Sequence, residues 1–209
     1  MTQRDVSGGG LRERKKRETR VALSQATIRL CVQHGWDNVT VEDIAAAANV
    51  SVRTFRNYFS SKAEAIAASH LERMLRIADE LRARPVTEPL WDSISCAVRT
   101  QFVPQGAAGA GSPRDQRWAD GLRLMLAEPA LQGEIVKAGA AAQEELAKAI
   151  AERTGTDVAR DVYPKLVAAV VGAGSAVAVE HCLRADPPAP LDLVLHEVFD
   201  QLVAGLPTP

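Results

Sequence analysis

Twenty-three residues, Thr40 to Lys62 (TVEDIAAAANVSVRTFRNYFSSK), hold three helix starts and one tight turn, and no other part of the 209-residue chain restricts the fold as strongly. Thr40, with Asp43 three positions on, has the form of a capping box: the hydroxyl accepts from an early helix amide and the acid favours the positive helix end. A helix is therefore expected from Val41. Val41, Ile44, Ala45 and Ala48 recur at i, i+3, i+4 and i+7, a narrow apolar stripe on an alanine-rich helix that another helix can approach closely. Asn49 stands where the chain must turn sharply, and Asn tolerates a left-handed backbone better than most residues. Val50 plugs the corner. Ser51 suits the N-cap of a second helix, Val52 to Phe59, in which Phe55 and Phe59 share one face and Arg53, Thr54, Arg56 and Asn57 are free to face elsewhere. Ser61 and Glu64 then open a third helix with Lys62 at its mouth, where a phosphate would be held. Helix, turn and donor-bearing helix make a helix-turn-helix, and contact with DNA is the first expectation.

Residues of roughly 12 to 66 resemble the DNA-binding domain of the TetR family of bacterial transcriptional regulators. The resemblance rests on an arginine-rich first helix, Gly35, Thr-Val-x-x-Ile-Ala at Thr40 to Ala45, and a recognition helix closing with Tyr58-Phe59-Ser60-Ser61-Lys62. Asn49 stands where the family usually has Gly, a mild change given the left-handed tolerance of Asn. The resemblance implies base-edge reading by Arg53 and Arg56, because a guanidinium reaches O6 and N7 of guanine together. It also implies contact of Thr54 with a thymine methyl or a phosphate, a grip of Tyr58 and Lys62 on the backbone, and phosphate contact by Thr40 and Val41 at the preceding helix start. Arg17, Ser51 and Asn57 complete the expected DNA-facing set.

Charge agrees. Residues 1 to 62 carry 11 Lys/Arg against 6 Asp/Glu, a net of +5, and residues 63 to 209 carry 14 against 20, a net of −6. The near-neutral total thus conceals a basic head and an acidic body. Arg12, Arg14, Lys15, Lys16, Arg17 and Arg20 crowd into one stretch opposed only by Glu13 and Glu18, a density suited to neutralising phosphates and releasing counterions.

With 46% hydrophobic residues the chain can bury a real core, and it suits one small and one larger domain. No uncharged apolar run reaches about 18 residues, and the opening MTQRDVSGGG lacks the apolar segment of a signal peptide. A cytoplasmic protein without membrane attachment is expected. Cys31, Cys96 and Cys182 are scattered, which fits thiols in a reducing compartment better than disulfides or zinc. No cofactor or metal is expected.

An all-α fold of about nine helices follows from helical periodicity throughout, with Pro and Gly as punctuation. Residues 1–10 read as a disordered tail, 11–62 as the helix-turn-helix domain and 63–209 as a ligand-binding and dimerisation domain. The first helix is expected from Leu11 to His34, ended by Gly35. A long helix from Lys62 to about Arg84 is stopped by Pro85, and Thr87 caps the next, to Phe102. Val103 to Pro113 forms a loop, and Pro113 opens a helix to about Leu126. Pro129 opens another, to about Arg153; a long helix ends near Arg184, and Pro190 begins the last, through Val203.

The segment Val167 to Val179 (VAAVVGAGSAVAV) contains Gly172-Ala173-Gly174. With no preceding strand and no third glycine it is a poor dinucleotide loop. Its residues Ala169, Gly172, Ala173, Ala176 and Val177 make a smooth face for close helix packing, either inside the chain or between chains. Family resemblance favours the second. Leu195, Val198, Phe199 and Leu202 of the last helix would join them in a four-helix homodimer interface, which lets two recognition helices about 34 Å apart read both halves of a palindromic operator.

Ligand contacts are less legible. Trp91, Ile94, Val98 and Phe102 on one helix, Trp118, Leu122 and Met125 on another, and His181 beyond them are the pocket candidates, the mostly aliphatic lining suiting a hydrophobic or amphipathic small-molecule effector. Binding there would tilt the helix from Lys62 and change the separation of the two recognition helices, relieving repression. An activator, or a non-specific DNA-binding protein, would use the same N-terminal chemistry. An all-helical enzyme is the distant alternative: the four histidines are isolated and neither HExxH nor GxSxG occurs.

Overall fold

The computed structural model describes residues 7–102, 119–124, 127–185 and 189–208. The helices are α1 (Ser7–His34), α2 (Val41–Ala47), α3 (Val52–Tyr58), α4 (Lys62–Ala83), α5 (Leu90–Phe102), α6, described over 119–124, α7 (Pro129–Thr154), α8 (Val162–Arg184) and α9 (Leu191–Val203). The described residues contain no strand. The expected loop from Val103 to Pro113, the opening of α6 at Pro113 and its end at Leu126 lie outside them.

Two compact units divide the chain within α4, after Ser69 rather than after Lys62, and residues 120–134 join the N-terminal unit. In that unit Leu23, Ala26, Cys31, Val39, Ile44, Ala45, Phe55, Phe59, Ile66 and Leu131 are buried. Two buried hydroxyls are satisfied locally, Ser24 Oγ donating to the Ala65 carbonyl and Thr27 Oγ1 to that of Leu23. α1 starts four residues before Leu11, so residues 7–10 of the expected tail are helical.

The caps follow the local chemistry closely. Thr40 and Asp43 form both halves of a capping box on α2, and Ser51 Oγ accepts from the Thr54 amide at 3.0 Å to open α3. Between them Asn49 adopts φ 53°. Its amide bonds to Ala46 O and that of Val50 to Ala45 O, the paired closure of a helix that ends on a left-handed residue. Asn49→Gly is therefore expected to leave stability unchanged or slightly raised, and Asn49→Val to cost about 1–2 kcal/mol; urea unfolding of the two variants checks the ordering. At α4 the box is offset by one: Ser61 Oγ accepts from the Glu64 amide, but the Glu64 carboxylate reaches back to Ser60, taking its amide at 2.7 Å and its hydroxyl at 2.8 Å.

In the C-terminal unit Ile77, Leu81, Ile94, Val98, Phe102, Leu146, Ile150, Val167, Val171, Leu195 and Phe199 are buried. α8 and α9 pack closely at Gly174, where an added Cβ would lie 3.1 Å from both Val198 Cγ1 and Leu202 Cδ1. Gly172 and Gly174 are thus helix-packing positions, not part of a phosphate loop. By length and composition alone α8 is apolar enough to cross a membrane, but close to half of it is buried within this chain.

Thr87 does not cap α5. The helix starts at Leu90 on the Pro89 carbonyl, and the preceding loop is held by charge instead. Arg153 donates to the carbonyls of Arg84, Pro85 and Glu88 and to Ser93 Oγ. Glu88 accepts from Arg84 at 2.5 Å and from Ser93 Oγ at 2.7 Å. The Arg84 hydrogen bond, followed by that of Ser93, pulls the Glu88 carboxyl down to about 2. A carboxyl lowered on folding stabilises above its unfolded value and loses that contribution as pH falls through the folded one. The stability gap between the native chain and Glu88→Gln should accordingly be full at pH 7 and shrink between about pH 4.5 and 2. Urea midpoints across that window check it, and a gap independent of pH would contradict it.

Candidate nucleic-acid interface

The second helix of the helix-turn-helix, α3, is seven residues long and two-faced. Phe55 and Phe59 are buried, their rings 5.7 Å apart and tilted, and the Arg20 guanidinium lies 4.7 Å from the Phe59 centroid. With that side fixed, Arg53, Arg56 and Asn57 stand exposed on the other, flanked by half-buried Thr54 and Tyr58. Two long guanidinium arms on a short, well-anchored helix are suited to base-edge contacts in a major groove. The exposed side chains of Arg12, Arg14, Lys15, Lys16 and Arg17 on α1 supply further positive charge, although Arg14 also lies 3.5 Å from Glu18.

Several expected donors are engaged within the chain. The Thr40 amide and hydroxyl both donate to Asp43 Oδ2, at 2.9 and 2.6 Å, so neither is offered to a phosphate as expected. These bonds, the side-chain one first, hold the Asp43 carboxyl below its ordinary range. Val41 is half-buried. The Ser51 and Thr54 hydroxyls lie 2.9 Å from each other as part of the α3 cap. Lys62 does not stand free at the mouth of α4: its Nζ donates to the Trp36 carbonyl and, at 3.0 Å, to that of Val39, and lies 4.2 Å from the Trp36 ring centroid. A flexible ammonium satisfies the carbonyls after α1 that have no helical partner, a competition invisible in sequence spacing.

The expected effector-pocket residues fall in both units. Ile94, Val98 and Phe102 are buried on α5 and Trp91 is half-buried there, whereas Leu122 is buried in the N-terminal unit. Trp118 and Met125 lie outside the described residues. His181 is exposed and lines a groove of about 470 Å³ along α8 and α9, together with Val170, Ala173, Gly174, Val177, Val198 and Leu202. Of the expected dimer residues, Ala169, Ala173 and Ala176 are exposed, and Val198 and Leu202 are half-exposed in that groove. Leu195 and Phe199 instead fill the chain's own core, at 0% and 2% exposure. Gly172 is half-buried, and an added Cβ there would lie 2.8 Å from the exposed Gln143 side chain. Val177, 59% exposed, is a groove residue that the small-residue face included, and Leu206, 64% exposed, is one that it did not.

Comparison with known proteins agrees with this arrangement. Residues 23–68 match the family described as bacterial regulatory proteins, tetR family, and residues 88–207 match the MftR C-terminal domain. The HTH-type transcriptional regulator TcmR of Streptomyces glaucescens is 34% identical over 196 residues, covering 88% of this chain and 82% of that protein. Among solved structures, the fold is similar to SmeT, the repressor of the Stenotrophomonas maltophilia multidrug efflux pump SmeDEF, with TM-score 0.58 and 17% identity over 91% of this chain and 96% of that one. It is also similar to the fatty acid degradation regulator FadR from Bacillus halodurans, with TM-score 0.56 and 19% identity over 91% and 97%. An exposed arginine pair on a helix-turn-helix, both family matches and a relative alike along most of its length lead to one conclusion: the chain belongs to the TetR family of bacterial transcriptional regulators.

Proposed function

We propose that this regulator is a repressor that binds a palindromic operator as a homodimer in the cytoplasm and is released by a small hydrophobic or amphipathic effector. The observation that carries the reading is the pair Arg53 and Arg56, exposed on a helix whose opposite face is fixed by buried Phe55 and Phe59. The apolar groove along α8 and α9 supports the homodimer, since an open apolar surface between two helices is the kind of surface that a second copy covers. Two recognition helices on a two-fold axis then meet two half-sites about one DNA turn apart, about 34 Å. α4 contributes Lys62–Ser69 to one unit and continues into the other from His70, so an effector that shifts its C-terminal half acts on the helix that carries the end of the DNA-binding unit. A reporter driven by the promoter of a neighbouring gene tests the direction of control. Expression falls when the regulator is supplied and recovers with effector; a rise on supplying it would contradict repression.

A further inference from the structure

We propose that His70 and Arg73 form the polar end of a binding site for a carboxylate-bearing small molecule in the C-terminal unit. The proposal rests on the reading that an effector binds this unit, and it assigns that effector a chemical class.

Ile66, His70, Arg73, Ile77 and Leu81 follow one another at helical spacing on α4. The isoleucines and the leucine of that stripe are 1%, 3% and 1% exposed, and His70 and Arg73 between them are half-buried. Each has one buried nitrogen without a partner. Arg73 Nη1 and His70 Nδ1 are buried without a hydrogen-bond partner, and no described acid forms an ion pair with Arg73. The other arginines of the same helix behave differently. Arg76 donates to Gln101 and sits 3.8 Å from Glu72, and Arg82 meets Asp79, Glu145 and Glu152. Burial, and then the charge of Arg76, depresses the Arg73 pKa; burial disfavours any lone charge, and the neighbouring positive charge of Arg76 favours an anion as the partner. A guanidinium cannot escape by losing its proton, and a buried charge without a counterion is strongly destabilising.

The missing partner is a single negative charge. Burial, and secondarily Arg73, pushes the His70 pKa down to about 4, so the imidazole is neutral at pH 7 and brings a polar nitrogen but no second positive charge. One guanidinium edge and one neutral imidazole match the two oxygens of a carboxylate better than a dianionic phosphate.

Full-length protein and Arg73→Met are compared by thermal melting and titration calorimetry with octanoate, dodecanoate and benzoate, each against the corresponding alcohol, and with octyl phosphate. At least one carboxylate binds the native chain about tenfold or more tighter than its alcohol. Arg73→Met loses that preference and, unliganded, melts at the same or a higher temperature because the orphan charge is gone. Preference retained by the variant, no preference in the native chain, tighter binding of the phosphate, or an unliganded variant that melts lower would each overturn the proposal. Arg73→Gln, which also removes the charge, carries the same expectation. Operator release separates the two readings: a carboxylate that binds through Arg73 without releasing DNA leaves this site standing and defeats the effector reading. A neutral compound that releases DNA while no carboxylate binds does the reverse.

Discussion

An Arg53→Ala/Arg56→Ala variant is expected to lose operator affinity by about a thousandfold or more while melting as the native chain does. Each bidentate arginine–guanine contact contributes about 1–3 kcal/mol of discrimination. A homodimer presents four such side chains, so even the lower end sums to about 4 kcal/mol, or about three decades in Kd. Both side chains are exposed, and removing them leaves the buried Phe55 and Phe59 in place, so stability should move by less than about 0.5 kcal/mol. Weak, salt-sensitive binding to any duplex should survive through the α1 cluster from Arg12 to Arg20. Fluorescence anisotropy with operator and scrambled duplexes at two salt concentrations separates these effects; a variant that still prefers the operator would show that other residues read the bases.

The second large effect is expected at the α8–α9 groove. Val177 is 59% exposed in the single chain, so Val177→Glu should fold normally. In a homodimer the same position becomes covered, twice over, and two carboxylates would be desolvated among Val170, Ala173, Val198 and Leu202. The dimer should weaken by at least about a hundredfold, leaving a 22.4 kDa species in sedimentation velocity at micromolar concentration. Val86→Glu, at a position 80% exposed and outside the groove, serves as the control and should leave the assembly unchanged. A Val177→Glu chain that sediments like the native protein would place the interface elsewhere.

What could be read from sequence is governed by how locally each feature is determined. The caps at Thr40 and Ser51 and the left-handed turn at Asn49 depend on atoms within three or four residues, and the structure has them where they were expected. Pro129 and Pro190 mark the starts of α7 and α9 for the same reason. The apolar α8 gave no polar face to orient it, so its inward and outward sides could not be told apart. Leu195 and Phe199 lie on the apolar face of α9, a face that can serve the chain's own core or a partner, and they fill the core. Lys62 and Thr40 satisfy spacing rules for phosphate contact, but nearer acceptors claim them. His70 and Arg73 were passed over because polar side chains hide a core-facing register; the signal was present in their spacing from Ile66 and Ile77. The pocket candidates depended on which helices come together across long stretches of chain, information that periodicity alone does not hold.

Two copies of this chain are expected to present paired recognition helices to one duplex. Native mass spectrometry of the purified chain with a palindromic duplex from its own genomic neighbourhood measures this directly. The expected species are a dimer when free and two chains per duplex when bound, with a scrambled duplex competing poorly. A free monomer, a single chain per duplex, or equal binding to both sequences would contradict it.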